Sequence, residues 1–474
     1  MTVSLSLPIT RLWAPQAWVA GAWADAVLLE ADALGRWVAI TPDTPLHSLQ
    51  TPTQAQTHAQ VLPGPVLPGL VNAHSHAFQR AFVGLSESRD SDTDDFWSWR
   101  DRMYGVALRI TPDQLQAVAT HLYAELLQGG YTQVCEFHYL HHQPDGTRYA
   151  DEWAMSRALA LAAQATGIGL TLLPVLYERA GFTQPALRPD QRRFATTVDD
   201  VLRLRDGIRA WGLPQVDAGV AVHSLRAATA ASLHTLARRL EGDAGPIHIH
   251  VAEQTAEVDD CLAATGVRPI EWLARELPLD ARWQLVHATH ATPAEIDAVA
   301  ASGAGVVICP GTEANLGDGL CDLPRWLSSG TPLSVGSDSH VTRTWPEELR
   351  WLEYGQRLLR RQRNVAAAPG VQPSTAARLF ERVRAGGGAA AGQARWGLQI
   401  GARADLLVLN LEDAALCGLP AQRALDAAVF AAPAQPFARV MVAGRWTGPP
   451  HPDAARGFEH AMQALWRPAA LAMP

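Results

Sequence analysis

Residues 66–80 read VLPGLVNAHSHAFQR, an apolar run that passes through Pro68 and Gly69 and ends in two histidines, His74 and His76. Alternate residues of a β-strand point to the same side, so a strand ending in His-x-His aims two imidazoles at one place. A zinc ion accepts such donors at about 2.0–2.1 Å and needs three or four of them. The reading of this stretch therefore turns on what the later strands supply.

Apolar runs of strand length recur at 66–73, 131–137, 168–177, 218–223, 246–252, 283–288, 305–309 and 332–336. Between them lie helical stretches rich in Ala and Leu, at 112–128, 152–165, 198–211, 227–240, 256–277, 293–302 and 346–361. Continuous apolar runs suit a parallel sheet buried on both faces. Eight such units predict an α/β fold, a (β/α)8 barrel of the TIM type, with functional residues at the C-terminal ends of the strands. Shorter runs at 18–22, 26–29 and 37–40, and again at 405–411 and 438–446, predict strands of a small β-sandwich. We expect residues 1–65 and 393–474 to build that small domain together, around a catalytic barrel at 66–392. A helix at 374–384 and a Gly/Ala-rich turn at 386–392 lead out of the barrel, and residues 450–474 finish as a helix.

Polar residues gather at the strand ends. His74, His76 and Gln79 follow the first run, Glu136 and Tyr139 the second, and His223 and Arg226 the fourth. The fifth, HIHVAE, gives His248, His250 and Glu253; the sixth gives His287 and His290, and the eighth, VGSDSH, gives Asp338. His74, His76, His250 and Asp338 would bring a metal three imidazoles and a carboxylate. His248 and His250 share a strand face, so alternation leaves both open, but the deeper His248 reads better as a core residue. Arg100 lies in a Trp-rich loop, FWSWRDRMY, after strand one.

Composition narrows the chemistry. The basic residues are 39 arginines without a lysine, which excludes a Schiff-base lysine, a P-loop lysine and a lysine carbamate bridging two metals. A net charge of −8 gives no electrostatic case for nucleic acid or an anionic membrane. The chain has neither a membrane-spanning apolar run nor an N-terminal signal pattern. Its five cysteines are scattered without a CxxC pair, as in a reduced, cytoplasmic protein.

PGLVNAHSH, HIHVAE, LVHATH and VGSDSH, in this order, resemble the amidohydrolase superfamily in its mononuclear, deaminase-like branch. HSHAFQRAFVGLSE, DDFWSWRDRMY, CEFHYLHH, HVAEQTAEVDDC, GTEANLGDG and VGSDSHVTRTWPEELRWLEYGQRL are similar to its members that hydrolyse N-formimino-L-glutamate. Thr183-Gln184 stands where that resemblance leads us to expect a Gly-Gly pair, which alters the loop expected after strand three. The resemblance implies one zinc ion per chain on His74, His76, His250 and Asp338, a donor set that also suits other divalent metals. It implies catalytic roles for Glu253, His287 and Asp338, and substrate contacts from Gln79, Arg100, Tyr139, His223 and Arg226. The implied substrate is a small dicarboxylate amidine, for which paired arginines are the chemical match. Its hydrolysis would release ammonia and N-formyl-L-glutamate, a step of histidine degradation. A zinc aminohydrolase acting on a purine or another aromatic amidine uses the same donors and is the alternative. Barrels of this type often pair, so a homodimer is expected, with no nucleic acid or membrane partner.

Overall fold

The structure, a computed structural model, describes residues 10–49, 58–89, 94–433, 435–449 and 452–467. Eight parallel strands follow one another around a barrel: Leu70–Ser75, Tyr131–His138, Gly169–Leu176, Val220–Ser224, Ile247–Val251, Trp283–His287, Gly305–Ile308 and Leu333–Val335. A parallel bridge between Ser75 and Asp338 joins the eighth to the first. Nearly every residue of these strands is buried, which is why they read as unbroken apolar runs.

Four boundaries differ from the sequence expectation, each for a local reason. The run at 66–73 is two strands: Val66–Leu67 pairs with Thr10–Val19 and Leu406–Leu409, and only Leu70–Ser75 enters the barrel. Pro68 between them has no N–H to give a ladder. The run at 218–223 divides likewise into Val216–Ala218, beside strand three, and Val220–Ser224. The stretch at 256–277 is two helices, Thr255–Thr265 and Pro269–Glu276, because Gly266 caps the first in the left-handed region and Pro269 opens the second. The glycines at 386–388 form no turn but continue the helix Thr375–Ala390. Close packing demands them: a Cβ on Gly386 would stand 2.2 Å from the Leu333 carbonyl oxygen.

That helix ends under the barrel. The Ala390 carbonyl accepts from His248 Nε2 at 2.8 Å, and the Ala391 carbonyl accepts from Thr171 Oγ1 at 3.1 Å. His248 and His250 share the inner face of strand five, and the Ala390 contact places His248 at the floor of the barrel while His250, two residues further along, stands at its mouth.

The small sandwich draws on both ends of the chain. In spatial order its strands are Arg445–Trp446, Phe437–Val442, Leu406–Leu409, Val66–Leu67, Thr10–Val19, Ala22–Ala31 and Trp37–Thr41, with Gln60–Val61 paired to Thr10–Val19. Leu12, Leu29, Trp37, Leu406 and Met441 are among its core. The Arg403 guanidinium ties it to the barrel, donating to Gln133 Oε1 at 2.7 Å and the Thr132 carbonyl at 3.0 Å. The expected C-terminal helix runs Pro452–Trp466, and residues 468–474 lie outside the described residues. No helix among the described residues is long and apolar enough to cross a membrane.

Candidate active site

At the barrel mouth, strands one, five and eight bring four donors together. His74 Nε2 stands 2.9 Å from His250 Nε2 and 3.1 Å from His76 Nε2. Asp338 Oδ1 lies 3.6 Å from the first of these rings and 3.4 Å from His76. The ligands of a tetrahedral zinc at ordinary bond lengths stand about 3.3–3.4 Å apart, close to these four separations. Two sets of donors, His74 with His76 and Asp338 and His74 with His250 and His287, each gather within 4.8 Å and meet at His74. Burial holds the pKa values of His74, His76 and His250 down, reinforced at His74 and His250 by neighbouring imidazoles and opposed at His76 by Asp338. The rings are therefore neutral. His74 Nε2 faces two other ring nitrogens, and one N–H can satisfy only one of those contacts. A cation suits the cluster better than any pattern of protons, and these side chains could hold one.

The local chain explains the convergence. Gly336 lets strand eight close on strand one, since a Cβ there would lie 2.6 Å from that of His74. His76 Nδ1 donates to the Phe137 carbonyl at 2.9 Å, which turns Nε2 toward the cluster. Asp338 and His287 both hold left-handed backbone, with φ of +48° and +69°. Such residues cost of order 1–3 kcal/mol and persist where their surroundings over-determine them.

Glu253 and His287 sit beside the cluster. His287 Nε2 is 3.6 Å from Glu253 Oε1 and 3.8 Å from Asp338 Oδ2. Burial pushes the Glu253 carboxyl up to about 7, against the pull of His287. Burial also presses on His287, but Glu253, the Cys309 side chain and Glu313 outweigh it and hold that imidazole well above its ordinary value. All of the sequence-predicted site residues line one cavity except His74, which lies beneath it. Gln79 Nε2 donates to the Tyr139 hydroxyl at 3.1 Å, and the His223 ring lies 5.1 Å from that of His250.

Arg100 is on a helix, not in a loop as the sequence suggested. Asp95 caps Phe96–Ala107, accepting from the backbone N–H groups of Trp97 and Ser98, while Ser98 Oγ accepts from the Asp95 N–H. The helix stacks Arg100 on Trp97, its one-turn neighbour, with the guanidinium carbon 4.7 Å from the ring centre. Arg226, from strand four, approaches the same indole at 5.1 Å. Arg100 also pairs with Asp101 at 3.1 Å, while Arg226 forms no ion pair within 4 Å among the described residues and acts on Glu257 and Glu253 at longer range.

The sequence matches the model of the amidohydrolase family over residues 66–447. The chain belongs to the amidohydrolase family. This amidohydrolase is 44% identical over 442 residues to a formimidoylglutamate deiminase from Pseudomonas aeruginosa, covering 92% of this chain and 94% of that one. It is 25% identical over 350 residues to a 5-methylthioadenosine/S-adenosylhomocysteine deaminase from Natronomonas pharaonis, covering 73% of each. Among solved structures, an amidohydrolase from Brucella melitensis superposes with a TM-score of 0.88 at 40% identity, over 97% of this chain and 100% of the other. A zinc-bound adenosine deaminase from Xanthomonas campestris, at 22% identity, shares the fold, with a TM-score of 0.77 over 96% of this chain and 97% of the other.

Three further side chains of the amidohydrolase were given no role by the sequence. Glu313, in the GTEANLGDG stretch, stands 3.3 Å from His287 Nδ1 and accepts from the Cys309 N–H at 2.9 Å. Glu136 accepts from Ser75 Oγ and from the Ala77 N–H, each at 2.6 Å, bracing the segment that carries His74 and His76. Trp97 supplies the surface shared by the two arginines. Glu136 was visible at its strand end and Trp97 in its motif, but only tertiary contact reveals what either touches.

Proposed function

We propose that this amidohydrolase hydrolyses N-formimino-L-glutamate to N-formyl-L-glutamate and ammonia, as a cytoplasmic enzyme of histidine degradation with one zinc ion per chain. The observation that carries the reading is Arg226. It lines the cavity, approaches the Trp97 indole as Arg100 does, and has no carboxylate in ion-pair contact among the described residues, as suits a site that binds carboxylates. The name of the 44%-identical relative supports the same substrate, and five cysteines without a disulfide suit a reducing compartment.

His74, His76, His250 and Asp338 would hold the metal. When bound, it would lower the pKa of water from about 15.7 toward 7 and supply hydroxide near neutral pH. Asp338, at the edge of the cluster, takes the proton of the attacking water. Oxygen adds to the formimino carbon, and His287 steadies the oxygen as charge develops on it. Glu253, protonated below about 7 by virtue of its burial, gives its proton to the departing nitrogen. The proton held by Asp338 completes ammonia, the C–N bond to that nitrogen breaks, and the hydroxyl proton passes to Glu253 while the carbon keeps the new oxygen as a formyl carbonyl. Arg100 and Arg226 hold the carboxylates, with Gln79, Tyr139 and His223 around the amidine.

Ammonia release from N-formimino-L-glutamate, compared with guanine and adenosine, tests the proposal. Turnover of the amidine alone is expected, and turnover of a purine alone would replace this reading with the purine one. Arg226→Met should raise KM by about 10- to 100-fold, the worth of one charged hydrogen-bond pair, with little change in kcat.

A further inference from the structure

The loop after strand three, which carries Thr183-Gln184, ends in a turn at Pro189–Gln191 that reaches back to the cavity. Gln191 is buried, and the Arg188 N–H donates to its Oε1 at 3.0 Å. That bond settles which end of the amide is which, so Nε2 is the end that meets the cavity wall. Nε2 donates to the Tyr177 hydroxyl at 3.0 Å and to that of Tyr104 at 3.5 Å. Both phenol oxygens are then acceptors, and their own hydrogens must point elsewhere. A bond between the two hydroxyls consumes one hydrogen at most. At least one O–H is left, and the space open to it is the cavity that both rings line with Arg100 and Arg226. Burial keeps the Tyr177 phenol well above its ordinary pKa, so it remains a neutral donor.

We infer that the Tyr104–Tyr177 pair, oriented by Gln191, donates a hydrogen bond to a substrate carboxylate and so helps the site select dianions. The inference rests on the dicarboxylate reading above and adds a neutral donor to the two cations. A substrate lacking that carboxylate leaves the donor unpaired beside two guanidiniums, which is how a built polar site rejects an analogue.

Three substrates separate the possibilities: N-formimino-L-glutamate, N-formimino-L-2-aminobutyrate without the side-chain carboxylate, and N-formimino-4-aminobutyrate without the α-carboxylate. Each is assayed with wild type, the Tyr104→Phe/Tyr177→Phe double variant and Gln191→Glu, all checked for metal content. In Gln191→Glu the new carboxylate accepts the hydroxyl hydrogens and draws them out of the cavity. Both variants should raise KM for the dicarboxylate by at least about tenfold, keep kcat within about threefold, and spare one of the monocarboxylates. Unchanged KM for the dicarboxylate in both variants overturns the inference, as does an equal loss on all three substrates, the mark of a packing role. A wild type that treats the three alike overturns the dicarboxylate reading instead. Should Gln191→Glu fail to fold, the double Phe variant, which removes the two phenol oxygens and nothing else, decides alone.

Discussion

Glu253 and Glu313 lie near opposite nitrogens of one imidazole, and the two carboxyls are set for different work. Glu253 has its pKa pushed up to about 7 by burial, so it is charged above that pH and carries a proton below it. A proton donor works only in the protonated form. The expected kcat/KM therefore falls as pH rises through the Glu253 pKa, and a bound metal dication draws this limb to lower pH. Glu253→Gln should lose at least about 100-fold in kcat and flatten the limb, with metal content intact. A variant with full activity would remove Glu253 from the reaction. Glu313 touches His287 at Nδ1, which leaves Nε2 for the cavity. Glu313→Gln should lower kcat by about tenfold or more with KM nearly unchanged, and Glu313→Asp should recover part of the loss.

The elements show how far a sequence speaks. Strands buried on both faces declare themselves by unbroken apolar runs, and the barrel strands fall within a few residues of where those runs stand. The donors at the strand ends were legible for the same reason: strand periodicity and barrel topology together say which side chains share a mouth. Legibility stopped where long-range packing decides. No local pattern says that Gly386 sits in a helix pressed against Leu333, and helix propensity argues against it. The Asp95–Ser98 capping box was on the page as DDFWS, yet the tryptophans around it read as a loop. Trp97 is the element-scale test of that helix. Trp97→Leu removes the surface under Arg100 and Arg226. It should raise KM for the dicarboxylate by about 3- to 30-fold, with kcat and metal content preserved, as expected for two cation–π contacts.

At the scale of the molecule, the metal cluster is also a fastening. Its donors come from strands one, five and eight, which span most of the barrel's circumference and include the seam closed by the Ser75–Asp338 bridge. A cation bound there favours the closed barrel over the unfolded chain, by about 4 kcal/mol at a thousandfold excess over Kd. Chelation should therefore lower the melting temperature, and added zinc should restore it. His76→Ala should show a smaller response to both, measured by thermal unfolding with and without metal.

Ala390 and Ala391 cork the far end of the barrel, below His248 and Thr171. The reaction thus runs in a blind alley. On the proposed function, ammonia would be released at its innermost point, behind a dianionic acyl product held nearer the street by two guanidiniums. The larger product must step aside before the smaller can pass, so ammonium, the last to leave, should compete with substrate while N-formyl-L-glutamate inhibits noncompetitively.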